Sequence, residues 1–250
     1  MSVRILEVTN DIPVRNRIGV FTLRAYQIAE GPRVDTHLAI FKPGFSGPVP
    51  VRVNSACLTG EVFGDRRCDC AWQMWEALRR FEERGSGVMT YHPSHEGRGI
   101  GLFQKIRSYE LMDEHGMTTR EAFQALGEEV DTRTYTAASA ILRHLGVRQA
   151  HLLSNNPLKI KALQDAGIEV VDSERVLIDF DEGLTPYLRS KAADFGHLID
   201  LPTFMLGVPE GADHVLPTQR AGDGHQGHQG HQGHQGHQGH QGQHGRVEPS

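Results

Sequence analysis

The sequence predicts an α+β, or mixed α/β, fold: one domain built from a mixed sheet with flanking helices. Three observations lead there. The first fifty residues alternate apolar and polar side chains between turn-forming stretches, the pattern of short strands joined by tight connections. The middle of the chain alternates short apolar runs with segments whose apolar residues recur three and four apart, so crossovers and some parallel pairing are expected. The last part is a polar repeat with nothing to bury.

The elements follow in order. VFTLRAYQIA and THLAIFK alternate as strands, with GPR and KPGFSGPVPV supplying the turns. VRVNSACL reads as a strand running into a cluster of cysteines. WQMWEALRRFEERG is an amphipathic helix closed by Gly85. GVMTYH is a short buried strand, GIGLFQKIRSYELMDEHG a helix ending at Gly116, and TREAFQALG a short helix capped by Thr118 or Thr119. TRTYTAASAILRHLG is a further helix and QAHLLS a strand. NNPLKIKALQDAG is a helix with its proline near the first turn, and IEVVDSERV the final strand. The domain is expected to span residues 1–206. Residues 207–250 are expected to be a disordered tail, in which Gly-His-Gln repeats six times from Gly224 to Gly242.

Length and charge narrow the function. A chain of 250 residues is long enough for one substantial α/β domain, or two small ones sharing a core. A formal net charge of -5 speaks against a general nucleic-acid binder, whereas a phosphate-bearing small molecule needs only a local basic pocket. No apolar run approaches the roughly 18 residues of a membrane span. MSVRILEVTNDIPVRN lacks the apolar stretch of a signal peptide, so a cytoplasmic protein without membrane partners is expected.

The chain has three cysteines, clustered in CLTGEVFGDRRCDC with the spacing C-x10-C-x-C. An odd, clustered set does not make a disulfide framework and points to metal binding or chemistry. Zinc favours thiolate and imidazole ligands in a tetrahedron. Structural sites close it with four protein ligands, and catalytic sites leave the fourth position to water. With no fourth cysteine, Cys57, Cys68 and Cys70 plus one water is the economical reading. Three thiols without metal, or a structural zinc closed by a histidine such as His92, are the alternatives.

The surrounding residues carry a resemblance. RVNSACLTGEVFGDRRCDCAWQ resembles the zinc motif of the GTP cyclohydrolase II family, R-V-H-S-E-C-L-T-G-D-x-x-x-S-x-R-C-D-C-G-x-Q. The likeness continues through YHPSHEGRGIGLFQKIRSYELMD, VDTRTY, HLGV, LLSNNPLKI and YLRSKAADFGHLI, in order over roughly residues 15 to 200. It implies a GTP cyclohydrolase II-like single domain. The implied enzyme opens the imidazole ring of GTP, the first step of riboflavin biosynthesis. Its products are formate, pyrophosphate and 2,5-diamino-6-(5-phosphoribosylamino)pyrimidin-4(3H)-one. It also implies one Zn2+ per subunit, Mg2+ with the GTP phosphates and a homodimer.

By the same resemblance Cys57, Cys68 and Cys70 are the metal ligands, and Asp131, Arg133 and Tyr109 are catalytic. Arg133 would be the nucleophile toward the α-phosphate and Asp131 a general acid or base. The substrate contacts fall on Arg52, Val53, Asn54, Ser55, Ala56, Gln73, Glu96, Gly97, Arg98, Thr119, Ser154 and Lys159. Read alone, these residues allow plainer roles. Asp131 can start a helix beside a solvated Arg133, Tyr109 can pack a helix face, and HEGRGIG is a weak phosphate motif. An arginine nucleophile also conflicts with a side-chain pKa above about 12, which makes electrostatic stabilisation a competing role.

The chain departs from the family's pattern near the site. Asn54 replaces histidine, Ala56 glutamate, Thr132 glutamate and Ser154 threonine, and YHPSHEGR is one residue longer than the usual Y-H-R-Q-E-G-R. Two other readings follow: a paralogue serving another pathway, such as pyrimidine breakdown or secondary metabolism, or a zinc- and GTP-binding regulatory protein without turnover. The seven histidines from His225 to His244 are a further candidate for weak metal binding.

Overall fold

The computed structural model describes residues 3–154, 156–174 and 176. The expected domain end near residues 200–206, the segment YLRSKAADFGHLI and the tail lie outside the described residues.

A single mixed sheet organises the chain. Strands β1 (Val3–Val8), β2 (Ile12–Arg15), β3 (Val20–Glu30) and β4 (Arg33–Lys42) form its antiparallel part. β5 (Val49–Ser55), β6 (Gly87–His92), β7 (Gln149–Leu153) and β8 (Glu169–Glu174) follow. The order is β1-β3-β4-β6-β5-β7-β8, with β2 beside β3. β4 meets β6 antiparallel, and the β6–β5, β5–β7 and β7–β8 pairs are parallel. The expected mixture of hairpins and crossovers is therefore present.

Helices cover both faces. α2 (Cys70–Arg84), α5 (Thr136–His144) and α6 (Pro157–Asp165) supply the larger contacts. Successive strand residues point to opposite faces. Val88 and Leu152 pack with Ile141 and Leu142 of α5, while their neighbours Met89 and Leu153 pack with Leu78 and Phe81 of α2. α2 ends as expected, at Gly85 in the left-handed conformation with φ 65.

Three element boundaries differ from the sequence reading. β5 stops at Ser55, and Cys57 caps a one-turn helix, α1 (Leu58–Glu61), where a continuing strand was expected. α3 (Leu102–His115) begins late, because residues 93–99 form a 3-10 turn with Gly97, Arg98, Gly99 and Gly101 at positive φ, which an α-helix cannot include. α5 begins at Thr136 and leaves Asp131 and Arg133 on the preceding loop. The short helix α4 (Thr119–Ala125) is capped by Thr118 in a reciprocal pair with Glu121.

Candidate active site

The carboxyl ends of the parallel strands converge on one cleft. β5 runs out at Ser55, β6 into the 93–99 turn and β7 into the N-terminus of α6, which is where ligands bind in parallel-sheet folds. The cleft encloses about 1060 Å3 of space, its open mouth included.

The three cysteines meet at its floor. Cys57 caps α1, Cys68 lies in the following loop and Cys70 opens α2. Their sulfurs lie within 4.8 Å of one another, and Cys57 Sγ is 3.5 Å from Cys68 Sγ, too far for a disulfide. Gly60 makes room for them: a Cβ there would stand 2.9 Å from Cys68 Sγ and 3.3 Å from Cys57 Sγ. Hydrogen bonds from the Cys68 and Cys70 thiols, the Lys105 charge and the Gly60 N–H hold Cys57 well below the usual thiol range despite burial. Hydrogen bonds to Cys57 and Cys70, then burial and the opposing charges of those two thiols, push Cys68 up. A divalent cation relieves that opposition, so three soft donors around a recess kept open by a glycine fit zinc. The alternative ligand His92 turns its nitrogens to His37 Nδ1 and Thr90 Oγ1, both at 2.9 Å.

Lys105, which the sequence reading did not single out, sits against the cluster. Its Nζ donates to Cys57 Sγ at 3.2 Å and to Glu96 Oε1 at 2.6 Å. Glu96 Oε2 in turn accepts from the Leu58 N–H of α1 at 2.7 Å. Burial alone would lower the Lys105 ammonium, but the Glu96 bond and the Cys57 charge raise it. Tyr109, one turn along α3, lies between Lys105 and Arg67, whose guanidinium carbon is 4.8 Å from its ring centre. Its hydroxyl is 3.3 Å from Thr59 Oγ1, and burial raises it above the usual phenol range.

Asp131 and Arg133 form a closed fork on the loop before α5. Arg133 Nε donates to Oδ1 at 2.8 Å, NH2 to Oδ2 at 2.6 Å, and the Arg133 N–H to Oδ1 at 3.1 Å. Burial opposes the Asp131 charge, but the Arg133 bonds and charge, with that of Arg98, hold the carboxyl below its ordinary range. Asp131 is thus not a helix cap: the residue before α5 is Tyr135, without a side-chain cap.

The remaining residues singled out in the sequence divide by position. Arg52, Asn54, Ser55, Ala56, Gln73, Gly97, Arg98, Thr119 and Lys159 line the cleft together with Arg133, Tyr109 and the cysteines. Arg52 donates to Asn54 Oδ1 at 3.2 Å and to Gln73 Oε1 at 2.6 Å. Val53, Glu96, Asp131 and Ser154 are not among the lining residues. Val53 packs in the core, and its carbonyl accepts from Lys159 Nζ at 2.7 Å. Ser154 accepts from the Asn156 N–H at 3.1 Å. In HEGRGIG the N–H groups of Gly97, Ile100 and Gly101 bond within the turn, so fewer of them face an anion than the motif suggests.

Similarity to known proteins fits this cleft. The GTP cyclohydrolase II family model matches residues 7–175. The GTP cyclohydrolase-2 of Neisseria meningitidis serogroup C is 44% identical over 185 residues, 72% of this chain and 90% of that protein.

This chain belongs to the GTP cyclohydrolase II family.

It is accordingly an enzyme of the GTP cyclohydrolase II class. The GTP cyclohydrolase-2 of Shewanella baltica is 38% identical over 187 residues, 75% of this chain and 91% of that one. The riboflavin biosynthesis protein RibBA of Bacillus mycoides is 40% identical over 196 residues, 78% of this chain and 49% of its own length. A solved structure of RibBX, a two-domain 3,4-dihydroxy-2-butanone 4-phosphate synthase from A. baumannii, overlaps 71% of this chain and 40% of its own. Its TM-score of 0.34 and 22% identity are too low to establish a shared fold.

Against the family's motif, the carboxylate absent at Ala56 is not absent from the neighbourhood. Glu61 accepts from Asn54 Nδ2 at 2.8 Å and from Tyr91 Oη at 2.6 Å, and burial, with a smaller part from the Cys57 charge, raises its carboxyl. Glu96 stands on the Lys105 side of the cluster. Among the described residues no helix is long and apolar enough to cross a membrane.

Proposed function

We propose that this chain hydrolyses the imidazole ring of GTP. It would release formate and pyrophosphate and form 2,5-diamino-6-(5-phosphoribosylamino)pyrimidin-4(3H)-one, the first step of riboflavin biosynthesis. One observation carries the reading: a three-thiol cluster and Arg133, held from behind by Asp131, line one cleft with Arg98 and Lys159. That cleft offers a hydrolytic centre beside a place for phosphates.

Cys57, Cys68 and Cys70 would hold one zinc per subunit. When bound, zinc supplies a water acidic enough to attack a poorly electrophilic carbon near neutral pH. Ring opening and formate release each need one water added at this carbon. The first, at C8 of guanine, breaks the bond from C8 to the ribosyl nitrogen, and the second cleaves the resulting formamide to formate. Tyr109 takes part as a donor, since its hydroxyl stays protonated and reaches the cluster's side of the cleft through Thr59. Asp131 is ionised and fixes the Arg133 plane. The fork presents NH1, whose partner at 3.4 Å is Ser55 Oγ, toward the phosphates. Arg133 there stabilises charge at the α-phosphate while a further water adds to its phosphorus and pyrophosphate leaves, with no need for the guanidinium to lose a proton. Arg52 and Gln73, bonded to each other, offer a donor and acceptor pair to the polar edge of the purine.

Mg2+ on the GTP phosphates, a homodimer and a cytoplasmic location belong to the same reading, which is supported by membership of the family. Zinc-loaded protein given GTP and Mg2+ should release formate and pyrophosphate. An Arg133→Lys variant should lose pyrophosphate release more than formate release, because it keeps the charge and loses the fork. Equal loss of both would remove the phosphate-specific role.

A further inference from the structure

Three buried histidines run in contact toward the cleft. His37 on β4 and His92 at the end of β6 face each other through their Nδ1 atoms at 2.9 Å. His92 stacks on His95 of the 93–99 turn, with ring centres 4.8 Å apart and planes 19° apart. His95 ends the series. It belongs to the segment that is one residue longer than the family's pattern, and it lines the cleft. His95 and Arg133 also both line a neighbouring cavity with Ser94, Thr132 and Thr134.

The hydrogen bonds around Ser55 point to one form of the imidazole. Among the described residues the one hydrogen bond of the His95 ring joins Nδ1 to Ser55 Oγ at 3.1 Å. Ser55 Oγ also meets Arg133 NH1, and a guanidinium can only donate, so the serine oxygen accepts there. The serine proton is then available for His95 Nδ1. Burial, followed by the charges of Arg133 and Lys159, keeps the imidazole neutral, down at about 3. A neutral ring that accepts at Nδ1 carries its proton on Nε2. Arg133 and Lys159, the cations whose charges bear most on this ring, line the same cleft as His95.

We propose that His95 binds and positions the nucleotide's phosphates. Nδ1 accepts the Ser55 hydroxyl and so orients the oxygen on which Arg133 rests, and Nε2–H donates to a phosphate oxygen. The proposal rests on the reading that GTP occupies the cleft.

The experiment uses the zinc-loaded full chain with GTP and Mg2+, and follows formate and pyrophosphate separately. His95→Asn keeps an acceptor at the δ position and lacks the ε donor. Its KM for GTP should rise roughly tenfold or more, the scale of one hydrogen bond to a charged group, with kcat for formate within about twofold. His95→Gln keeps a donor at the ε position and lacks the bond to Ser55. Its KM should stay near wild type while pyrophosphate release slows. Imidazole 15N NMR of wild type, with His95 assigned by its loss in His95→Asn, should show a neutral Nε2–H ring at pH 7.

An unchanged KM in His95→Asn, or an Nδ1–H ring in wild type, overturns the proposal. The NMR result needs only one folded variant for its assignment, since the His95 signal is lost in His95→Gln as it is in His95→Asn. Wild type that releases neither product contradicts the proposed function, while the tautomer still tests the Ser55–His95 assignment independently.

Discussion

Arg133 grips both carboxylate oxygens of Asp131, at 2.8 and 2.6 Å, from only two residues away. The fork uses Nε and NH2 and turns the NH1 edge toward Ser55. Two groups that read in sequence as separate acid–base and nucleophilic candidates therefore act as one unit. Its geometry suits holding a phosphate better than forming a bond to it.

Asp131→Asn should accordingly cost phosphate chemistry most. The amide keeps one acceptor and loses the charge and the second acceptor, so pyrophosphate release should fall by about 10²–10³-fold, the scale of losing a preorganised electrostatic contact. Burst kinetics that separate formate from pyrophosphate check this. A variant slowed equally in both products would return Asp131 to general acid–base work at the ring.

The same pair makes an acid-stability prediction. The folded pKa of Asp131 lies below its ordinary value of 3.8, so the pair stabilises the fold above about pH 4. That contribution is lost as pH falls through the depressed folded value. Urea midpoints of wild type and Asp131→Asn should differ at pH 7 and converge below pH 4. A gap that widens on acidification would contradict the assigned direction.

Gly60→Ala should disturb the metal centre with little effect on the rest of the fold. Its Cβ would press on Cys68 Sγ at 2.9 Å and on Cys57 Sγ at 3.3 Å. Zinc per chain, measured after dialysis against a mild chelator, should fall well below wild type, while the far-ultraviolet circular dichroism stays unchanged. Full zinc retention would mean that the cluster spreads without cost.

Lys105→Met tests the buried pair behind the cluster. The Glu96 carboxyl would lose its buried partner, and breaking one side of such a pair costs about 3–5 kcal/mol. Adding Glu96→Gln, which retains an acceptor for the Leu58 N–H, should recover part of that loss in urea denaturation. A double variant as unstable as the single would place the cost in Lys105 packing.

How much of this was legible in the sequence depends on what each feature needs. The three cysteines were legible because thiol chemistry is written in residue type and spacing. α2 and its Gly85 stop were legible because periodicity and a left-handed terminus are local. The start of α3 was not, since the run from Gly97 to Gly101 reads as a helix lead-in until its positive φ angles are seen. Val53 looked like a substrate contact by its place in a motif, yet the strand period turns its side chain into the core and leaves only its carbonyl, which binds Lys159. Lys105 and His95 could not be singled out locally. Their roles come from partners supplied by other segments, Cys57 for one and Ser55 for the other.

The central claim is that the thiol cluster and the fork serve one reaction on GTP. The most direct measurement is mass-spectrometric product analysis of GTP with Mg2+, comparing zinc-loaded wild type with Cys68→Ser. The account predicts formate, pyrophosphate and the diaminopyrimidinone ribosyl phosphate from wild type, and loss of both bound zinc and formate release in Cys68→Ser. Wild type carrying stoichiometric zinc and leaving GTP intact, or Cys68→Ser releasing formate at the wild-type rate without zinc, would contradict it.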